Sequence, residues 1–173
     1  MNAANQQSLS VTWSARELDA RHNTGRALLF LLGNTTYAVS VAFVRRVMEL
    51  PAVVPVAGAK PWLLGMANCE GVAVPLIHTQ HLLHPDSAVS SQTCKRAIVI
   101  DCAHGSCLLA VEQINTLSDL SGSQRHAKLP AEYPAPFIEY SCESNGVTIG
   151  VIKVATLFQN YSKQAVRTNR DIA

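Results

Sequence analysis

The sequence predicts an all-β protein with short helices, built as two small barrels lying side by side. Two observations carry this expectation. Short apolar runs alternate with turn residues along most of the chain. Those runs also recur in the same order in the second half of the chain, as an internal duplication would make them.

In chain order, residues 1–25 read as a peripheral extension. Ser14 to His22 predicts a short helix with Ser14 as its cap and Glu17 completing a capping box. Ala27 to Leu32 is a continuous apolar run of the length of a buried strand, followed by a tight turn at Gly33-Asn34. Tyr37, Val39 and Val41 alternate with smaller residues, the period of a half-buried strand. Pro51, Pro55, Gly58 and Pro61 leave room only for loop or edge strand. Leu63–Asn68 and Val72–Ile77 predict two strands around a turn at Glu70-Gly71, with a helical turn over 78–83. His84 to Gln92 reads as an exposed loop, and Arg96 to Cys102 opens a second β section. Ser118 to Pro136 is a second polar loop. Asn145-Gly146 then predicts a hairpin, because both residues accept the positive φ of a type I′ turn.

The repeat is read by shifting the sequence against itself. At a shift of 70, Arg26–Phe30 falls on Arg96–Ile100, and Val39, Val41, Val44 and Val47 fall on Leu109, Val111, Ile114 and Leu117. At a shift of 75, Gly71–Ile77 falls on Gly146–Ile152, and Leu82-Leu83 on Leu157-Phe158. Each half closes best on itself, since closure removes exposed strand edges. Two barrels side by side leave a groove that suits a partner.

Composition narrows the function. Apolar residues make up 48% of the 173 positions, so a packed core is expected, while charged residues are only 15%, which favours a surface that binds other proteins. The net charge of +2 comes from scattered basic residues without interleaved aromatics, against a nucleic-acid partner. No apolar run is long enough to insert into a membrane, and no signal-peptide layout opens the chain. Five cysteines, Cys69, Cys94, Cys102, Cys107 and Cys142, lack C-x-x-C spacing and fit buried thiols of a cytoplasmic protein.

Several local patterns resemble one family. Leu32-Gly33-Asn34-Thr35-Thr36-Tyr37-Ala38-Val39 is similar to the L-G-x-x-x-Y-A-V opening of CheW-type coupling proteins. Val44-Arg45-Arg46-Val47 stands where that family has V-x-E-[IV], and Gly65 to Pro75 where it has G-x-x-N-x-R-G-x-x-x-P. Leu109 to Ile114 resembles its L-x-V-D-x-V. The resemblance covers residues 26–158, most strongly 32–77. The Pro51…Gly58-Ala59-Lys60-Pro61-Trp62 run further resembles the CheW-type adaptors of type IV pilus systems, which act in twitching motility. The resemblance implies two intertwined, five-stranded SH3-like barrels. They occupy residues 26–159, with subdomains near 26–83 and 96–158 and a tail at 160–173. It implies a non-catalytic, cytoplasmic adaptor in chemotaxis signalling, associated with receptor arrays. Its two partners are the regulatory domain of a CheA-type histidine kinase and the cytoplasmic tip of a methyl-accepting chemoreceptor. No cofactor, metal or catalytic residue is implied. The partner-binding positions that carry over are Val44, Arg46, Asn68, Glu70 and Gly71.

The departures are informative. The family's Glu and Arg, 24 residues apart, correspond here to Arg46 and Glu70, with the signs exchanged. His78 and Lys153 replace two Asp positions that cap helical turns, so looser turns are expected. These losses keep open a degenerate paralogue that competes for kinase without coupling to a receptor. A reading of another class is a small thiol or metal-dependent enzyme. His78, His81 and His84 recur every three residues and could share a helix face with a metal; otherwise they form a solvated turn. Cys102, His104 and Cys107 cluster at a turn, but no residue is evident to orient a base. Trp62 is either a core plug or a partner anchor, with the core favoured. Val44 is expected to be exposed; ordinary strand packing is the alternative.

Overall fold

The computed structural model describes residues 25–86, 88, 91–102, 105–157 and 159. The capping box of residues 14–17, the side chain of Cys102, and His104 lie outside the described residues. Among the described residues twelve strands form, in order β1 (Arg26–Leu32), β2 (Thr35–Ser40), β3 (Val44–Glu49), β4 (Val53–Val54), β5 (Leu63–Cys69) and β6 (Val72–His78), then β7 (Arg96–Cys102), β8 (Gly105–Val111), β9 (Gln113–Asp119), β10 (Gln124–Arg125), β11 (Ile138–Ser144) and β12 (Val147–Ile152). A short helix, α1 (Thr79–Leu83), follows β6.

Hydrogen bonding gathers the strands into two sheets. One has the order β10-β11-β12-β2-β1-β9, the other β3-β7-β8-β6-β5-β4. The second uses a continuous stretch of chain, β3 to β8, and is called here the continuous unit. The first joins β1 and β2 to β9–β12 and is the discontinuous unit. Each holds five long strands and one of two residues, β4 or β10. The family resemblance implies this interlocking of strands from both ends of the chain, in SH3-like barrels.

The duplication is written in the registers. Leu28 pairs with Val39 in one unit, and at a shift of 70 Ile98 pairs with Leu109 in the other. A register break lies between Leu28 and Phe30 against β9, and another between Val44 and Arg46 against β7. These are the same place: Leu28–Leu117 and Phe30–Ile114 correspond to Ile98–Val47 and Ile100–Val44. The break between Leu63 and Gly65 likewise recurs between Ile138 and Tyr140, at a shift of 75. Both units contain one parallel pairing, β6 with β8 and β12 with β2. Leu76–Leu108 in the first corresponds to Val151–Ala38 in the second. Chance apolar matches do not reproduce bulges and parallel registers together.

Three clusters make the core. Leu28, Phe30, Tyr37, Val39, Ile98, Ile100, Leu109 and Val111 point into a central cluster shared by both sheets. The residues between them fill the barrels. Ala27, Leu29 and Ala38 line the discontinuous unit, and Ala97, Val99, Leu108 and Ala110 the continuous one. Strands β1, β2, β7 and β8 are therefore buried on both faces, which explains their unbroken apolar runs. The half-buried reading of the second strand fails here: Tyr37, Ala38 and Val39 are all buried, because β2 has a core on each side. Val41 leaves the strand as well, in a 3-10 turn whose Ala42 N–H is capped by Ser40 Oγ at 3.3 Å.

The turns follow the sequence closely. Asn145 and Gly146 have φ of 52° and 75°, as a type I′ turn requires. The Ser118–Pro136 loop is more ordered than expected. Strand β9 runs on to Asp119, and Tyr133 lays its ring against Gly150, where a Cβ would lie 2.4 Å from the ring. Its hydroxyl donates to the Thr36 and Thr148 carbonyls at 3.1 and 3.0 Å, beside the parallel seam of β2 and β12.

Candidate functional site

Of the five residues singled out as partner-binding, Arg46, Asn68, Glu70 and Gly71 gather around one corner of the continuous unit, and Val44 lies on the same strand as Arg46. The β5–β6 turn carries Glu70 and Gly71 at φ of 55° and 85°, matching Asn145-Gly146 at the shift of 75. Asn accepts that backbone readily, whereas Glu does so at a cost of about 1 kcal/mol or more. The turn is held by Asn68, whose Oδ1 accepts the Gly71 N–H at 2.8 Å. Asn68 thus acts first on backbone geometry.

Arg46 and Glu70 do meet. Arg46 Nη1 lies 3.0 Å from Glu70 Oε1, so the exchanged signs leave an intact, inverted pair. Arg45 also reaches this carboxylate, through its Nη2 to Glu70 Oε2, and its Nε lies 3.9 Å from Asp101 Oδ2. Successive strand residues normally point to opposite faces. The bulge between Val44 and Arg46 lets both arginines close on one carboxylate. Asp101 is in turn bonded by Ser106 Oγ at 2.5 Å. The result is a half-exposed network of two guanidiniums and two carboxylates. Such a network adds little to stability and presents a defined charge pattern to a partner.

Arg45 and Asp101 escaped the sequence reading. The adjacent Arg45-Arg46 pair was visible, but the bulge that turns both to one side was not. Inward of the network, Arg46 Nη2 approaches Cys69 Sγ at 3.7 Å and Met48 Sδ at 3.8 Å, and its Nε is buried without a hydrogen-bond partner among the described residues. Arg46 is therefore anchored along its length.

Val44 is half-buried rather than exposed; it pairs with Ile100 and packs against the central cluster. Trp62 is also half-buried against that cluster, and its carbonyl accepts the His78 N–H at 2.7 Å. Between the sheets lies a cleft of about 520 Å³, lined by Leu31, Val47, Lys95, Arg96, Glu112 and Ile114. It brings β3 and β9, the outer strands of the two sheets, to one groove.

The histidine triplet is neither a metal face nor a solvated turn. His78 is wholly buried and stacks on His81 at 4.1 Å, while His84 turns away to Tyr37. Nor does His78 leave the turn uncapped: its Nδ1 accepts the His81 N–H at 3.1 Å. Cys69, Cys94, Cys107 and Cys142 are buried. Burial and the nearby Glu112 push the Cys94 thiol up to about 11, outweighing the opposing Thr93 hydrogen bond, so it is a poor nucleophile. No helix among the described residues is long and apolar enough to cross a membrane.

Comparison with known proteins agrees with this geometry. A family model described as the CheW-like domain matches residues 26–162. The crystal structure of the scaffolding protein TtCheW from Thermoanaerobacter tengcongensis is similar in fold, with a TM-score of 0.65 at 15% identity. The match covers 74% of this chain and 88% of that one. No curated protein matches the sequence.

Proposed function

The chain belongs to the CheW-like domain family, and from this premise we propose that it is a non-catalytic adaptor coupling a CheA-type histidine kinase to a chemoreceptor. The kinase contributes its regulatory domain and the receptor its cytoplasmic tip. The match over residues 26–162 carries the reading. The buried thiols, and histidines engaged in contacts within the fold, support a scaffold over a thiol or metal enzyme. The pilus-linked setting rests on the Pro51 to Trp62 run alone.

The receptor-facing site in this reading is the corner formed by Val44, Arg46, Asn68, Glu70 and Gly71, extended here by Arg45 and Asp101. Because the signs of the central pair are exchanged, this adaptor selects a receptor tip with correspondingly altered charges and rejects a standard one. Co-purification with isolated kinase regulatory domains and receptor tip fragments tests the proposal. Binding to both partners is expected. Binding to kinase alone makes the chain a competitor that does not couple, and binding to neither overturns the adaptor reading.

A further inference from the structure

The histidines at 78 and 84 take no part in the adaptor corner, yet both hold the ends of helix α1. At its start, His78 Nδ1 accepts a backbone N–H and therefore carries no proton. The neutral ring then bears its proton on Nε2, which faces Cys94 Sγ at 3.9 Å. That thiol stays neutral, with Glu112 beyond it and Lys95 next in sequence. On the helix itself, the His81 ring stacks on His78. Protonating His78 at Nδ1 removes the acceptor and sets a charge against the His81 ring.

At the other end, the His84 N–H donates to the Gln80 carbonyl at 2.8 Å, and His84 Nε2 lies 2.6 Å from the Tyr37 hydroxyl. Tyr37 is wholly buried, and burial, then Tyr133 and Glu132, suppress its ionisation. It keeps its proton, which a neutral His84 ring takes in a hydrogen bond through Nε2. Burial lowers the His84 pKa in the fold. Between the two ends, Thr79 Oγ1 and Gln80 Oε1 are buried without hydrogen-bond partners among the described residues, so the turn holds few bonds in reserve.

We propose that helix α1 is an acid-sensitive clasp on the core shared by the two units. Its Leu82 and Leu83 pack into the central cluster with residues of both sheets. The clasp is one-sided. At the shift of 75, the equivalent turn at 154–157 has Lys153, Thr156 and Gln159 at the three histidine positions. The sign follows from linkage. A group with a lowered folded-state pKa takes up its proton first in the unfolded chain. Stability is therefore full above the ordinary histidine value of 6.5 and is lost as pH falls through the lower folded-state value.

The test is thermal unfolding of the full chain between pH 7.5 and pH 5.5. The wild type should lose about 4–8 °C in Tm, from two caps lost in a chain of this size. In H78D/H84Q, Asp caps the turn and Gln accepts from Tyr37 without titrating in this range, so most of the loss should vanish. H126Q should keep it. A flat wild-type profile, or an undiminished loss in H78D/H84Q, overturns the proposal. Should H78D/H84Q fail to fold, NMR of the wild type decides. The proposal requires the His81 amide signal to move with the titration of the His78 ring, and an unmoved amide beside a titrating ring overturns it.

Discussion

The continuous and discontinuous units share one strand order, one parallel seam and the same bulges, yet they differ at particular turns and edges. Glu70 occupies the turn position that Asn145 holds in the other unit. Gly65 sits where the other unit has Tyr140. Edge strand β4 is Val53-Val54, with Val54 71% exposed, whereas β10 is Gln124-Arg125. Duplicated packing fixes the frame, and divergence at its rim makes two unlike surfaces. The proposed coupling of two different partners needs that difference.

Exchanging residues between equivalent positions breaks the comparison most sharply at Gly65. A Cβ there would lie 2.2 Å from the Val54 carbonyl oxygen, at a φ of 144°. Gly65→Ala should cost about 3 kcal/mol in urea unfolding, through backbone displacement and strain. Tyr140→Ala, at the equivalent site, loses the stacking of Arg125 on its ring, 3.8 Å from centroid, and part of its packing. It should cost about 1 kcal/mol. Equal losses would show that the two edges are interchangeable.

The turns give the next effect. Asn145→Glu should lose about 1 kcal/mol, because Glu enters the left-handed region less readily than Asn. Glu70→Asn should gain on the same account and lose the bridges to Arg45 and Arg46, leaving stability within about 0.5 kcal/mol of wild type by denaturant titration. The smallest effect is expected at the rim. Val54→Arg, which imitates β10, should leave Tm within about 2 °C, since exposed substitutions rarely exceed about 0.5 kcal/mol.

What the sequence made legible follows from where the physics is local. The runs at 27–32 and 97–100 were readable because strands buried on both faces need unbroken apolar residues. Asn145-Gly146 was readable because few residues accept its φ angles. The Arg46–Glu70 pair could be anticipated from the family pattern, and the fold brings its ends together. Arg45 and Asp101 could not, because a bulge is a property of two strands in register. His78 misled for a related reason. A buried imidazole can accept a backbone N–H as an Asp does, but only the fold shows that Nδ1 is placed to do so. Val44 was expected at the surface because the matching family position faces the receptor, and its cover comes from the central cluster.

The proposed receptor coupling turns on the inverted Arg46–Glu70 pair as a selector of partners. The decisive measurement is the affinity of wild type and of Arg46→Glu with Glu70→Arg for this adaptor's own receptor tip and for a standard one, with kinase binding as the control. The double variant should lose affinity for its own receptor and gain it for the standard tip, each by about tenfold or more, as removing or creating a close charge pair does at an interface. Kinase affinity should hold. Unchanged affinity for both receptor tips would contradict the account.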